Sequence, residues 1–175
     1  MTGQINVNKI AARTGTAITV ESGHVITQPG SVIQFVQHKW NTHTATTSES
    51  YVDVTSSSFN FTPKLSTSKL YIQANCAITV TRSSSAGYGV FKIVHDGTDI
   101  DAPSDRYEIG MGVGGGSTTG YYVRAPKSGY VDAGNTNARA IKLQTAVNAN
   151  SNSGTLNFNV NGLFYSYIDV MEIAQ

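Results

Sequence analysis

The sequence has a single cysteine, Cys76, among its 175 residues, so no disulfide can form within the chain. This excludes the class of small secreted domains that disulfides hold together, and it is typical of proteins folded in a reducing compartment. The first residues lack the apolar core of a signal peptide, and no apolar run is long enough to span a bilayer. We therefore expect synthesis in the cytoplasm and no membrane insertion.

Charge is also scarce. Only 13% of the residues are charged and the formal net charge is +1, which gives no electrostatic reason to expect nucleic acid as a partner. The hydrophobic fraction of 39% is low for a globular protein but too high for general disorder. A chain of this length and composition is expected to form one domain, with or without an arm.

No window shows a helical stripe, and the dominant period of the apolar residues is two. The clearest example is the segment 69–80, in which polar residues separate Leu70, Ile72, Ala74, Cys76, Ile78 and Val80. Because successive side chains of a strand point to opposite faces, this segment is predicted to be a strand that buries one face. Cys76 is then an inward-facing core residue.

Other segments are predicted strands on the same grounds: 31–40, 51–54, 59–61, 88–95, 120–125, 140–147, 156–160 and the final stretch LFYSYIDVMEIA. The pairs Asp96-Gly97 and Asn161-Gly162 are typical of two-residue hairpin turns, because both residue types tolerate positive φ. Strands and turns without intervening helices predict an all-β fold. About eight such segments match a jelly-roll β-sandwich of two sheets.

Residues 1–30 differ from the rest and are predicted to form a short extended N-terminal arm, with the jelly roll occupying 31–175. Their apolar residues, such as Ile5, Val7 and Ile10, occur in very short steps, and Pro29-Gly30 marks the entry to the main strands. Such steps cannot bury a core alone. They could pack against copies of themselves or a different protein, and the alternative is an untethered tail.

Motifs for cofactors and metals are weak. Gly110, Gly112 and Gly115 match the dinucleotide-binding spacing, but a loop and a strand follow them instead of the required helix. The carboxylates in DGTDIDAPSD (Asp96, Asp99, Asp101 and Asp105) fit a solvated turn or a calcium site, although their spacing is not that of an EF-hand. We expect no cofactor.

No constellation indicates catalysis. The four histidines, His24, His38, His43 and His95, have no cysteine or carboxylate at zinc-like spacing. The serines form neither a GxSxG elbow nor an SxxK pair. The sequence therefore predicts no catalytic residue, no metal site and a protein that is not an enzyme.

Tyrosine is the more informative residue type, with nine tyrosines against one tryptophan. Five of them lie in or beside glycine-rich and serine-rich segments and are the candidate surface-binding residues: Tyr88, Tyr107, Tyr121, Tyr122 and Tyr130. An exposed tyrosine offers a flat apolar ring and a hydroxyl, which suit sugars and protein interfaces. The alternative is that these rings only cap the ends of the sandwich.

The order of several motifs resembles a known family. GSVIQFVQ, then YVDVTSSSFNFTPKLSTSKLYIQANCAITV, and finally SYIDVMEIAQ resemble the C-terminal jelly-roll domain of bacteriophage tail-fibre and related virion appendage proteins. The shared features are an apolar opening strand, a proline link at Pro63, a Ser-Lys-apolar strand at Ser68 and a terminal Met-Glu-Ile-Ala strand at Met171. The preceding RTGTAITVESGHVI is similar to the short β-steps of fibre stalks. The glycine-rich loop at 110–120 is longer than the family pattern.

The resemblance implies a homotrimeric, non-enzymatic structural protein located on the virion after synthesis in the bacterial host cytoplasm. The arm, through Ile5, Val7 and Ile10, would attach it to other virion proteins, and its surface would recognise a host glycan or protein. Rival interpretations are a capsid decoration or adaptor protein, a free carbohydrate-binding module, and a depolymerase with carboxylates at glycosidase spacing.

The final strand also bears on assembly. Ile168 and Val170 lie on one face, whereas Tyr167, Met171 and Ile173 lie on the other. A strand that is apolar on both faces is either central in its sheet or covered by a second chain. We expect a neighbouring subunit to cover its outer face.

Overall fold

A computed structural model of the chain describes residues 28–81, 87–100, 109–111, 121–147 and 154–175. Within these ranges the chain forms twelve strands and one 3₁₀ turn, Val160–Gly162, and has no α-helix. The strands are β1 (Val32–Trp40), β2 (Thr44–Thr46), β3 (Val52–Asp53), β4 (Phe59–Phe61), β5 (Lys69–Thr81), β6 (Gly87–His95), β7 (Thr98–Asp99), β8 (Ile109–Met111), β9 (Tyr121–Asp132), β10 (Arg139–Val147), β11 (Thr155–Phe158) and β12 (Ser166–Ile173). The all-β prediction is confirmed.

The strands form two antiparallel sheets. In the first sheet β5 is central, with β9 along one edge and both β12 and β11 along the other. Strand β1 lies outside β12, and β2 lies outside β11. In the second sheet β10 pairs with β6 on one side and with β3 and β4 on the other, and β7 and β8 lie outside β6. The main strand orders, β1-β12-β5-β9 and β3/β4-β10-β6-β7/β8, are those of a jelly roll.

The core lies between the two sheets and is built by the period of two that the sequence shows. The predicted inward face of β5 is buried throughout, from Leu70 to Val80, and Cys76 is fully buried within it. Across the sandwich the Phe91 and Phe158 rings meet edge to face, with centroids 6.0 Å apart. Leu156 packs so closely over Gly89 that a Cβ there would lie 2.7 Å from its Cδ2. These contacts supply the burial that stabilises the sandwich.

Two turns agree with the sequence prediction. Asp96 and Gly97 have φ values of 50° and 81° and join β6 to β7, whose residues His95 and Thr98 pair directly. At the domain entry the Ser31 N–H donates to the Gln28 carbonyl at 2.9 Å, and Gly30 has φ 84°. Glycine is favoured there because L side chains rarely adopt that conformation.

The prediction of a hairpin at Asn161-Gly162 is wrong. Asn161 and Gly162 do have positive φ, 55° and 68°, but the flanking strands do not pair with each other. Over these described residues β11 pairs with β2 and β5, while β12 pairs with β1 and β5. The Asn-Gly pair therefore turns the chain from one part of the sheet to another instead of closing a hairpin.

Strand β9 is longer than predicted, because it continues from residue 125 through Pro126 and Gly129 to Asp132. Proline is tolerated there because β9 pairs only with β5 among the described strands, so it is an edge strand of that part of the sheet. Glycine at 129 is explained by close packing, because a Cβ would lie 2.7 Å from the Ile100 Cγ2.

Candidate functional site

The outer face of the first sheet carries a row of large side chains. Phe35 is paired with Met171, Met171 with Tyr71, and Tyr71 with Tyr130, so the row crosses all four strands from β1 to β9. The two ends are the most exposed, Phe35 at 53% and Tyr130 at 62%. The Tyr71 and Tyr130 rings have centroids 4.9 Å apart. Cross-strand contacts of this kind stabilise a sheet, but they leave the outward faces of the rings uncovered.

The next row along the strands extends this apolar area on one side only. Val32 is paired with Ile173, and Val32 is 56% exposed. On the β5–β9 side the same row is polar, where Lys69 Nζ lies 3.4 Å from Asp132 Oδ1. We call the six apolar residues of these two rows the outer apolar patch: Val32, Phe35, Tyr71, Tyr130, Met171 and Ile173.

A polar row bounds the patch on its other side. Gln37 is paired with Asp169, and its Nε2 donates to Asp169 Oδ1 at 2.8 Å. Across the sheet the row continues through Gln73 to Ser128. The apolar area is therefore confined to one end of the sheet.

Both ends of the described chain meet beside this patch. The Gly30 N–H donates to the Ala174 carbonyl at 2.8 Å, and the Ala174 N–H donates to the Ser31 carbonyl at 2.9 Å. The segment that precedes Gln28 consequently joins the sandwich next to the Val32–Ile173 pair of the outer apolar patch.

At the opposite end of the same face lies an aromatic pocket of about 160 Å³. Its walls come from the start of β9, the middle of β5 and the loop before β12: Ala77, Ile78, Tyr122, Val123, Arg124 and Phe164. The Tyr122 and Phe164 rings have centroids 5.1 Å apart, and Tyr122 is 59% exposed. The pocket is thus apolar inside and open to solvent.

One cation, Arg124, is part of the pocket wall, and a second, Lys39, lies over the ring of Tyr165, the residue after Phe164. Arg124 Nη1 donates to the Tyr165 carbonyl, and its guanidinium lies 5.5 Å from the Tyr167 ring centroid. Lys39 Nζ lies 3.8 Å from the centroid of the Tyr165 ring. Within the described part of the chain neither cation forms an ion pair. Cation–π contacts position both charges but do not neutralise them.

An anion is buried on the inner side of β12. Glu172 is fully buried, and its carboxylate accepts bonds from Gln34 Nε2 at 2.6 Å, the Leu65 N–H at 2.8 Å and Ser68 Oγ at 2.7 Å. The Lys64 N–H also donates to both oxygens, at 2.9 and 2.8 Å. Burial alone would raise the pKa of Glu172, but these donors outweigh it and hold the pKa below its ordinary value.

Two other buried groups, Cys76 and His95, have shifted pKa values. Burial raises the pKa of the Cys76 thiol, although Ser166 acts in the opposite direction. Burial and the nearby Arg139 charge lower the pKa of His95, against a smaller effect of Asp96. Both groups are therefore held in their neutral forms inside the fold.

The candidate tyrosines have different positions in the structure. Tyr122 forms part of the aromatic pocket, whereas Tyr130 belongs to the outer apolar patch. They share one face of β9 but are eight residues apart, or about 26 Å. Tyr130 lies within β9, directly after Gly129, and its ring is on the outer face of the sheet. The side chains of Tyr88 and Tyr121, and all of Tyr107, lie outside the described residues.

Some of the remaining candidate residues lie within the described ranges and others do not. Asp96 lies in the β6–β7 turn, whereas Asp99 lies in β7 and forms an ion pair with Lys92 at 2.8 Å. His38 stacks on Phe59 with centroids 4.7 Å apart, and His43 contacts Asn157. The following lie outside the described residues: Ile5, Val7, Ile10, His24, Asp101, Asp105, Gly112 and Gly115.

Neither a metal cluster nor a membrane-spanning helix is found in the described ranges. No three histidine, cysteine or carboxylate side chains come together there. No helix there is long and apolar enough to cross a membrane.

Sequence reasoning did not identify Lys39, Arg124, Phe164 and Tyr165 as surface-site residues. The signal that could have found the two aromatic residues is the run LFY after Asn161-Gly162, because apolar residues directly after a turn signal are often exposed. The two cations carry no such local signal, since Lys39 meets Tyr165 and Arg124 meets Phe164 from distant parts of the sequence.

Among solved structures the chain is similar to proteins of infectious bursal disease virus. A mutant VP2 protein of infectious bursal disease virus, in derived T=1 particles, matches with a TM-score of 0.41 and 18% identity over 91% of this chain and 41% of that chain. A chain in the structure of the Gx strain of that virus matches with a TM-score of 0.40 and 17% identity, over 90% of this chain and 42% of that chain. This chain therefore spans about two fifths of the length of those proteins. Likeness at these values does not identify a function.

No protein-family model matches the chain, and no curated protein matches it.

Proposed function

We propose that this chain is a non-enzymatic structural protein of a bacteriophage virion, displayed as a homotrimer at the tip of a tail fibre. Its N-terminal arm attaches it to other virion proteins, and its outer surface recognises the host. The order of the sequence motifs supports the proposal, together with the jelly roll that contains them. The outer apolar patch is the observation that carries it.

An antiparallel sheet at the surface of a sandwich ordinarily presents a polar outer face. Here Phe35 and Tyr130 stand more than half exposed at the two ends of one apolar row. Contiguous exposed apolar patches mark sites of protein association. Covering a large apolar side chain stabilises an assembly by about 1.5–3 kcal/mol, so a few such residues supply a substantial part of an interface.

The position of the chain ends favours another copy of this chain as the partner. The N-terminal segment joins the sandwich beside Val32 and Ile173, at the edge of the patch. If three copies meet through their patches, their three arms leave the assembly close together, as a stalk requires. Three identical surfaces then act together on one target, so weak individual sites give strong attachment through effective concentration.

Native mass measurement of the purified protein tests this interface. We expect the wild-type protein to be a trimer and Phe35→Lys to be a folded monomer, because a buried charge is costly unless it is paired. The matched control is Gln37→Lys, which adds the same charge on the same face of β1 but in the polar row, and it should remain a trimer.

Circular dichroism must show that both variants keep the wild-type β spectrum. A wild-type monomer would contradict the homotrimer and favour a free carbohydrate-binding module. A trimeric Phe35→Lys variant would show that the interface lies elsewhere.

A further inference from the structure

The aromatic pocket has the size and lining to hold one six-membered ring. Its volume is about 160 Å³, and an apolar cavity of about 150 Å³ is enough for benzene. The Tyr122 and Phe164 rings present apolar faces to this space, tilted 38° to each other. The C–H groups on one face of a pyranose are apolar and pack on such rings, while its hydroxyl groups point outward to solvent and protein.

The charges around the pocket favour an anionic ligand. Arg124 is a wall of the pocket, and Lys39 lies over Tyr165, the residue after Phe164. Both cations are exposed, and neither forms an ion pair within the described ranges. Arg124 donates one N–H group to the Tyr165 carbonyl, and its other guanidinium N–H groups can donate to a carboxylate, which gives both affinity and orientation.

Unpaired polar atoms flank the base of the pocket. On the outward face of β5, Thr79 and Asn75 lie on either side of Ala77, which lines the pocket. Thr79 is only 2% exposed, and neither its Oγ1 nor the Asn75 Oδ1 has a hydrogen-bond partner in the described structure. Buried polar atoms without partners are rare in proteins and call for an explanation. Thr79 is paired with Tyr122, whose ring forms part of the pocket, whereas Asn75 is paired with Pro126, which is not one of the pocket walls.

We propose that this pocket is a binding subsite for an acidic saccharide, with the pyranose ring packed on the exposed faces of Tyr122 and Phe164 and its carboxylate on Arg124. An aromatic side chain from another copy would fill the apolar space, but it would leave the charge of Arg124 without a counter-ion. The inference rests on the proposed role in host recognition and gives that role a site and a ligand class.

Saturation-transfer difference NMR on the full chain tests the subsite, since it detects weak monosaccharide binding. The probes are sodium glucuronate, galacturonate and N-acetylneuraminate, with glucose as the neutral control. We expect at least one acidic sugar to bind, and to bind at least fivefold more tightly than glucose. Raising the ionic strength should weaken that binding, because exposed charges are screened by salt.

Three variants locate the binding. Tyr122→Ala should abolish it, and Arg124→Gln should reduce affinity for the acidic sugar at least fivefold while leaving any binding of glucose unchanged. Ser128→Ala is the control, because it truncates an exposed side chain on the same face of β9 in the polar row, outside both the pocket and the outer apolar patch, and it should bind like the wild type. All three must keep the wild-type circular dichroism spectrum.

The inference is overturned if none of the three acidic sugars binds, if glucose binds equally well, or if Tyr122→Ala binds like the wild type. If these binding tests fail but the protein is found in virions as a trimer, only the saccharide subsite is disproved. If the protein binds the sugar but is absent from virions, the proposed function is disproved and the saccharide subsite is retained.

Discussion

Glu172 is a buried carboxylate whose hydrogen-bond donors are all neutral groups: the N–H groups of Lys64 and Leu65, the Ser68 hydroxyl and the Gln34 amide. Through these bonds the last strand holds the loop between β4 and β5 in place. Hydrogen bonds to a charged acceptor contribute about 1.5–3 kcal/mol, so the carboxylate is an important part of the stability at this corner of the fold.

We predict that Glu172→Gln lowers the free energy of unfolding by on the order of 3 kcal/mol, because a glutamine has one acceptor oxygen for these donors and brings an N–H₂ group against them. Urea denaturation measures this change. The control is Asp169→Asn on the outer face of the same strand, which should change the free energy by less than about 0.5 kcal/mol. A loss for Glu172→Gln no larger than that of the control would contradict the account.

The same residue predicts an acid-dependent stability. The folded pKa of Glu172 lies below its ordinary value of 4.5, so its contribution is complete above that pH and is lost as the pH falls through the folded pKa. Denaturation measured from pH 6 downward should show a steeper loss below about pH 4.5 for the wild type than for Glu172→Gln.

Cys76 is predicted to be unreactive in the folded protein, because its thiol is buried and its pKa is raised. Iodoacetamide should label the native protein slowly and the unfolded protein fast. Cys76→Ala should leave assembly intact and cost about 1 kcal/mol of stability, as a small core truncation does. Rapid labelling of the native protein would mean that β5 does not face inward at this residue.

At the scale of elements, the sequence predicted those parts whose signals are local. The alternation along β5 and the Asp96-Gly97 turn depend on neighbouring residues only, and both are confirmed. The extent of β9 could not be predicted, because Pro126 and Gly129 ordinarily interrupt strands and are explained here by the sheet edge and by Ile100. The backbone of Asn161 and Gly162 has the expected positive φ, but the local sequence does not determine whether the strands on either side of the turn pair with each other.

The surface sites were predictable only in part, for the same reason. The period of two in the last strand correctly placed Met171 and Ile173 on the outer face. Their partners Phe35 and Tyr130 join them through strand pairing across the sheet. The aromatic pocket likewise depends on contacts between residues 77–78, 122–124 and 164, which no local pattern connects.

The last strand is predicted to be indispensable for folding. Strand β12 pairs with both β1 and β5 and contributes Glu172 to the buried network. Removing residues 171–175 should therefore abolish soluble folded protein, or at least trimers, because it removes Glu172 and the residues that pair with Val32, Gln34 and Phe35. Circular dichroism and native mass measure the outcome. A truncated protein with wild-type mass and thermal transition would contradict this prediction.

At the scale of the whole molecule, the arm and the sandwich are expected to do separate jobs. A protein that lacks residues 1–25 keeps every described strand and the outer apolar patch, so it should still be a folded trimer but fail to join the particle. Native mass and incorporation into virions measure the two properties. A monomer would move the trimer interface into the arm, and normal incorporation would show that the arm is not the attachment device.

The position of the protein on purified virions tests the central claim most directly. Cryo-electron microscopy of particles carrying an antibody fragment against the sandwich should show it at the tail, in groups of three around one axis. Labelling confined to the head would indicate a capsid decoration protein, and virions free of the protein would contradict a structural role altogether.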